Sequence, residues 1–208
     1  MPKETFFNLK EEKRLKILNA AIDQFALKPY EQVMISDIIK TSEIPRGSFY
    51  QYFTDKEDLY THILKIINEE KRKFLNETLK NTEKINFIEL SKILFKNGVD
   101  FALESPKFIH IFNHLLTHRN QIYEKVMAEN IIIAKNIFIE LIEKDKLNGL
   151  IKKDIDSSAL AELIIQLTST IAIDELDIEN KETSYKKMLQ KNDNILKIIG
   201  YGIIKGEN

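Results

Sequence analysis

With 208 residues, 43% of them apolar and 30% charged, the chain can bury one large core or a small domain beside a larger one. Zero cysteines exclude disulfides and thiolate chemistry, and a formal net charge of −1 excludes binding to polyanions through overall charge, though not through a local surface. No stretch of about 18 apolar residues exists to span a membrane, and residues 1–18 alternate charged and apolar side chains without a cleavable apolar segment, so a cytoplasmic location is expected.

Six glycines, four prolines and apolar residues at steps of three and four predict an all-α chain. A first helix is expected from about Lys10 to Ala26, with Leu15, Leu18, Ile22 and Phe25 as its apolar stripe. Lys28-Pro29-Tyr30 stops it, because proline disfavours helix at the preceding residue. Two short pieces follow, Ser36 to Thr41 and Pro45 to Tyr52, each too short to persist alone. They are expected to dock through Ile38, Ile39, Ile44, Phe49 and Phe53. Thr54-Asp55-Lys56-Glu57 reads as a capping box, Thr54 to Glu57 and back, opening a long helix to about Leu79. Further helices are predicted over Phe87–Glu104, Pro106–Leu116, Gln121–Leu147, Ser157–Leu176 and Thr183–Lys205. Pro106 at a helix start and Gly149 just past a helix end follow the usual asymmetry.

Ile35 to Phe53, ISDIIKTSEIPRGSFYQYF, has the layout of a helix-turn-helix: short helix, tight turn at Ser42-Glu43, second short helix. In such a unit the second helix enters the major groove of DNA. Here it is expected to turn Phe49 and Phe53 inward and to offer Arg46, Ser48, Gln51 and Tyr52 outward. It carries no carboxylate to repel phosphate, and Gly47 leaves room for close approach of the backbone.

The run IPRGSFYQYFTDKEDLY resembles the amino-terminal signature of the TetR family, roughly T-x-x-x-I-A-x-x-A-G-V-S-x-G-x-x-Y-x-[HY]-F-x-x-K-x-x-L, with Gly47, Tyr50, Tyr52, Phe53, Lys56 and Leu59 at matching positions. Ala21, Phe25 and Tyr30 resemble the family's first helix, and the match spans about the first 60 residues. Three positions depart from the pattern: Met34 stands for a capping Thr, Glu43 for the turn glycine and Pro45 for a Ser cap. A Glu at that turn implies strain if it is left-handed. The resemblance implies a DNA-binding domain over residues 1–56 and a ligand-binding and dimerisation domain over 57–208. It also implies base reading by Arg46, Ser48 and Gln51, with Gln suited to adenine and Arg to guanine. Ser36, Tyr50, Tyr52 and Lys56 are then the phosphate contacts.

In the second lobe, His110, His114 and His118 recur every four residues, but no acidic partner or cysteine accompanies them, and no metal is expected. The helix carrying Ile131, Ile132, Ile133, Ile137, Phe138 and Leu141 is apolar almost all round and is expected at the buried centre. The resemblance implies a pocket for a small, mostly apolar ligand; Phe101, Phe108, Phe112 and Phe138 are its candidate walls, and Asn130, Gln166 and Thr170 its polar groups. The last two helices offer Leu163, Leu167, Ile171, Ile195, Ile199, Gly202 and Ile203, which resemble the family's two-fold dimer seam.

The expectation is a ligand-responsive, homodimeric transcriptional regulator, a repressor, that binds a near-palindromic operator and needs no cofactor. A helical small-molecule-binding protein with a vestigial helix-turn-helix is the competing reading. No nucleophile–base pair or phosphate loop of enzymatic spacing is present.

Overall fold

The computed structural model describes residues 1–79, 85–118, 121–174 and 180–203; for 74–79, 127–130, 169–174 and 181 it describes the backbone. The described residues form helices and no β-strand. In chain order these are α1 (Glu4–Phe7), α2 (Glu11–Leu27), a 3-10 turn (Tyr30–Gln32), α3 (Ile35–Ser42), α4 (Arg46–Tyr52), α5 (Lys56–Leu79), α6 (Phe87–Glu104), α7 (Pro106–Thr117), α8 (Gln121–Leu147), α9 (Ser157–Asp174) and α10 (Lys181–Ile203). Helix α1 and the 3-10 turn are additions to the sequence expectation. A single turn buries too little to leave a periodic signature.

Two compact units result: residues 1–71 with 105–127, and residues 72–104 with 128–208. The core of the first unit is built from α2 (Ile17, Leu18, Ala21, Ile22, Phe25), α4 (Phe49) with Phe53, α5 (Leu59, Tyr60, Ile63, Ile67) and α7 (Ile111, Leu115), closed by Phe6 of α1. Full burial of each large side chain contributes about 1.5–3 kcal/mol, which holds helices of seven or eight residues that would not persist alone. Leu15, expected inward, is 47% exposed. At 100° per residue the buried face of α2 is centred between Ala21 and Leu18, and Leu15 falls at its edge.

Helix α5 starts with a reciprocal cap, shifted by one residue from the Thr54–Glu57 expectation. Asp55 Oδ1 accepts from the Asp58 amide at 2.8 Å, and Asp58 Oδ2 accepts from the Thr54 amide at 3.0 Å. An Asp at the N-cap satisfies the orphan amide as well as a Thr does, and its charge suits the helix N-terminus.

The second unit joins Phe87 and Leu90 of α6, Phe138, Leu141 and Ile142 of α8, Leu160, Ala161 and Ile164 of α9, and Leu196 and Ile203 of α10. Asp145, buried on α8, accepts from the Phe87 amide at 2.7 Å and so caps the start of α6. Helix α8 ends in a Schellman motif: Gly149, at φ +75°, donates to Lys146, and Leu150 donates to Asp145. The expectation that α8 lies at a buried centre is corrected. Phe138, Leu141 and Ile142 are inside, but Ile132, Ile133 and Ile137 are exposed. Apolar all-round composition does not tell which faces find partners.

Candidate DNA-recognition head

Helices α3 and α4 are joined by Glu43, which adopts the left-handed conformation at φ 53°, ψ 40°. Its amide donates to Lys40 and the Ile44 amide to Ile39, the same Schellman geometry that Gly149 serves at the end of α8. Ile44 then enters the core. Lys16 pairs with the Glu43 carboxylate, and this hydrogen bond and charge hold its pKa below the usual carboxylate value. Ser42 is buried at the turn and donates to Ile38 O at 2.6 Å.

On α4, Phe49 is fully buried, as is Phe53 just after it, which leaves Arg46, Gly47, Tyr50 and Gln51 exposed and Ser48 half-buried. Tyr52 corrects the sequence reading. It is buried, packed beside Phe6 at 6.2 Å between ring centres, with the Lys13 ammonium 5.9 Å above its ring. Tyr52 lies three residues after Phe49, so helical spacing puts it on the inner face. A cap side chain is absent from α3: its N-cap is Met34, with no side-chain bond, and Ser36 is exposed without taking over that role. The Asp37 amide donates to Met34 O at 3.1 Å, and the Ile35 and Ser36 amides ahead of it have no side-chain cap, as at the positive end of any helix. Ser36, Arg46, Tyr50 and Lys56 line one surface groove of about 540 Å³ together with Met34 and Lys40.

Lys56 is held differently from the phosphate contact expected of it. Its ammonium donates to the carbonyls of Tyr30 at 2.7 Å and Val33 at 2.9 Å, with Glu31 O at 3.4 Å, and lies 4.4 Å above the Tyr30 ring. All three protons thus point at the 3-10 turn. Partial burial lowers its pKa, opposed by the charge of Glu31. These contacts tie Lys56 to the turn that leads into α3.

Adding a Cβ at Gly47 would meet nothing within 4 Å, and its backbone needs no positive φ, so the fold itself places no demand for glycine there. Residues missed from sequence are Lys3, Thr5 and Phe6, which meet α4 from the amino-terminal side. Their only sequence signal was an aromatic pair, Phe6-Phe7, ahead of the first long helix.

The remaining site residues divide between the units. Phe101 and Phe138 are buried in the second, where Phe138 meets Phe87 edge-on at 5.7 Å, and Gln166 is exposed. The side chains of Asn130, Thr170 and Ile171 lie outside the described residues. Phe108 packs on the core of the first unit, and Phe112 there carries the Lys71 ammonium at 5.7 Å. In the helices expected to form a dimer seam, Leu163 is 44% exposed, Leu167, Ile195 and Ile199 are half-buried, and Gly202 is exposed. Ile203 instead faces the core of its own unit, while Ile198 and Tyr201 stand out at 72% and 87% exposure. His114 faces Ala26 O at 3.3 Å and His118 faces His114 O at 3.2 Å. Among the described residues no group of three or more His, Cys, Asp or Glu is arranged to hold a metal ion, and no helix is long and apolar enough to cross a membrane.

Residues 17–63 match the model of the bacterial regulatory proteins of the tetR family. The chain is 24% identical over 156 residues to an uncharacterized HTH-type transcriptional regulator, YdgC, of Bacillus subtilis (strain 168), covering 74% of this chain and 76% of YdgC. Its fold matches a TetR family transcriptional regulator of Chloroflexus aurantiacus J-10-FL with a TM-score of 0.76 at 24% identity, over 99% of this chain and 100% of the other. It also matches the transcriptional regulator FadR of Bacillus subtilis, solved in complex with stearoyl-CoA, with a TM-score of 0.69 at 18% identity, over 91% and 98% of the two chains. Residues 17–63 thus carry the helix-turn-helix of the tetR family, and the all-helical fold as a whole is the one seen in TetR family regulators.

Proposed function

We propose that this protein is a homodimeric repressor that reads a near-palindromic operator through α4 and lets go of it when a small, mostly apolar ligand binds. Residues 1–56 are assigned to DNA reading, and 57–208 to ligand binding and dimerisation. The observation that carries the reading is the outer face of α4: Arg46, Gly47, Tyr50 and Gln51 are exposed on a helix anchored by Phe49, with no carboxylate among them. Gly47 adds support, since open space around it makes sense for a partner that comes close from outside. Arg46, Ser48 and Gln51 then read bases, while Ser36, Tyr50 and the α3 amides hold phosphates.

The ligand assignment rests on the likeness to a FadR solved with stearoyl-CoA and on the aromatic and polar residues of the second unit, Phe101, Asn130, Phe138, Gln166 and Thr170. Ligand and operator oppose each other by linkage. A ligand that weakens operator binding tenfold itself binds the operator complex tenfold more weakly, a coupling of about 1.4 kcal/mol.

The test is selection of duplexes from a random-sequence pool, followed by titration of the enriched operator. Gln51→Ala relaxes the preference at one position of each half-site, at a cost of about 1–3 kcal/mol. A uniform loss on every sequence would remove Gln51 from base reading.

A further inference from the structure

The carboxyl end of the recognition helix is capped from outside the helix-turn-helix, by the amino-terminal segment. Helix α4 has seven residues, so four of its carbonyls have no acceptor role within the helix. The Phe53 amide takes Phe49 O at 2.9 Å. The other three are taken by two residues of the amino-terminal segment: the Lys3 ammonium donates to Tyr50 O at 2.8 Å, the Thr5 hydroxyl donates to Gln51 O, and the Lys3 amide donates to Tyr52 O at 2.8 Å. The Lys3 charge also sits at the negative end of the α4 dipole, where a cation is favoured. Phe6 locks the segment in place. It is fully buried, 4.8 Å from the Phe53 ring centre and 5.8 Å from that of His62. Arg14 of α2 donates to Phe7 O at 3.3 Å and ties the segment to the next helix. Lys3, Thr5, Phe6, Phe7 and Arg14 all lie ahead of residue 17, where the family match begins.

We propose that Lys3 and Thr5 are positioning residues for operator reading: without touching DNA, they hold the carboxyl-terminal turn of α4, and with it Tyr50 and Gln51, in the orientation that reads the base. This rests on the DNA-reading role proposed above. A helix this short gains little from its own propagation. Three added bonds on its last turn therefore decide whether that turn is formed or frayed before DNA arrives. Ordering it beforehand removes a cost from binding.

The test uses the full chain and its Thr5→Val, Thr5→Ser and Lys3→Met variants, which leave the Phe6 packing intact. Amide hydrogen exchange over residues 50–53 is measured in the free proteins, and binding to the duplex enriched by the wild type is measured alongside. Thr5→Val and Lys3→Met are expected to exchange faster in this turn and to bind roughly three- to tenfold more weakly, the effect of one hydrogen bond. Their preference is expected to relax at the base pair nearest Gln51, and Thr5→Ser is expected to restore the wild-type behaviour. Variants that match the wild type in exchange and in base preference would overturn the proposal while leaving DNA reading intact. If the wild type enriches no sequence, the DNA-reading role itself fails, and the positioning role falls with it.

Discussion

Lys56 illustrates how much a single side chain depends on its surroundings. As a letter in a motif, a lysine near a helix start suggests a phosphate contact. In the folded head its ammonium is shared among the carbonyls of Tyr30, Val33 and Glu31 and lies over an aromatic ring. Removing that charge leaves those carbonyls short of a donor at the entry to α3. Lys56→Met is expected to lower the stability of the head by about 1.5–3 kcal/mol, as for hydrogen bonds to charged groups. Urea denaturation checks the loss. The salt dependence of operator binding checks the role: its slope stays that of the wild type if Lys56 is a brace, and flattens by about one unit if it holds a phosphate. Tyr52 makes the same point from the opposite side, because its three-residue distance from Phe49 already placed it inward. That spacing is legible in the sequence, and the hydroxyl of a tyrosine does not keep its ring from the core.

At the scale of elements, the chain contains its own control for helix ends. Helices α3 and α8 both finish in a Schellman motif, one with Glu43 and one with Gly149 at the left-handed position. Glycine takes that conformation without a Cβ penalty. The Lys16–Glu43 pair is solvent-exposed and offsets little of the strain. Glu43→Gly is therefore expected to raise the Tm by about 2–4 °C, while Glu43→Val, a branched residue at positive φ, lowers it. Calorimetry of the two variants beside the wild type decides this, and a Gly variant that melts below the wild type would contradict it. Element positions were largely readable, since apolar periodicity over ten or more residues is hard to mistake. The cap of α5 was readable only to within one residue, because Thr54 and Asp55 are both competent caps and only the backbone path selects Asp55.

For the whole molecule, the open question is assembly. Ile198 and Tyr201 are strongly exposed on α10, and Leu163 is exposed on α9. Apolar surface of this kind on two terminal helices is suited to pairing with a second copy about a two-fold axis. Ile199 packs on the core of its own unit, so a charge there would confuse folding with assembly. Ile198→Asp separates the two. It is expected to retain the wild-type Tm to within a few degrees, to run as a monomer in light scattering, and to lose most operator affinity. A wild-type chain that is monomeric at micromolar concentration would end the dimer reading; a dimer burying well over about 1,000 Å² supports it.

The sequence by itself determined the helical class, the course of the long helices, the helix-turn-helix and the set of residues at its turn. All of these follow from local spacing, and a repeat of three and four or a turn-capping residue acts within a few positions of itself. The tertiary structure alone decided which faces are covered. It turned Ile203 inward, left Ile132, Ile133 and Ile198 outside, set Lys56 on three carbonyls, and brought Lys3 and Thr5 to a helix more than forty residues away in the chain. Burial and hydrogen bonding between distant segments depend on which surfaces meet, and no local pattern encodes that meeting.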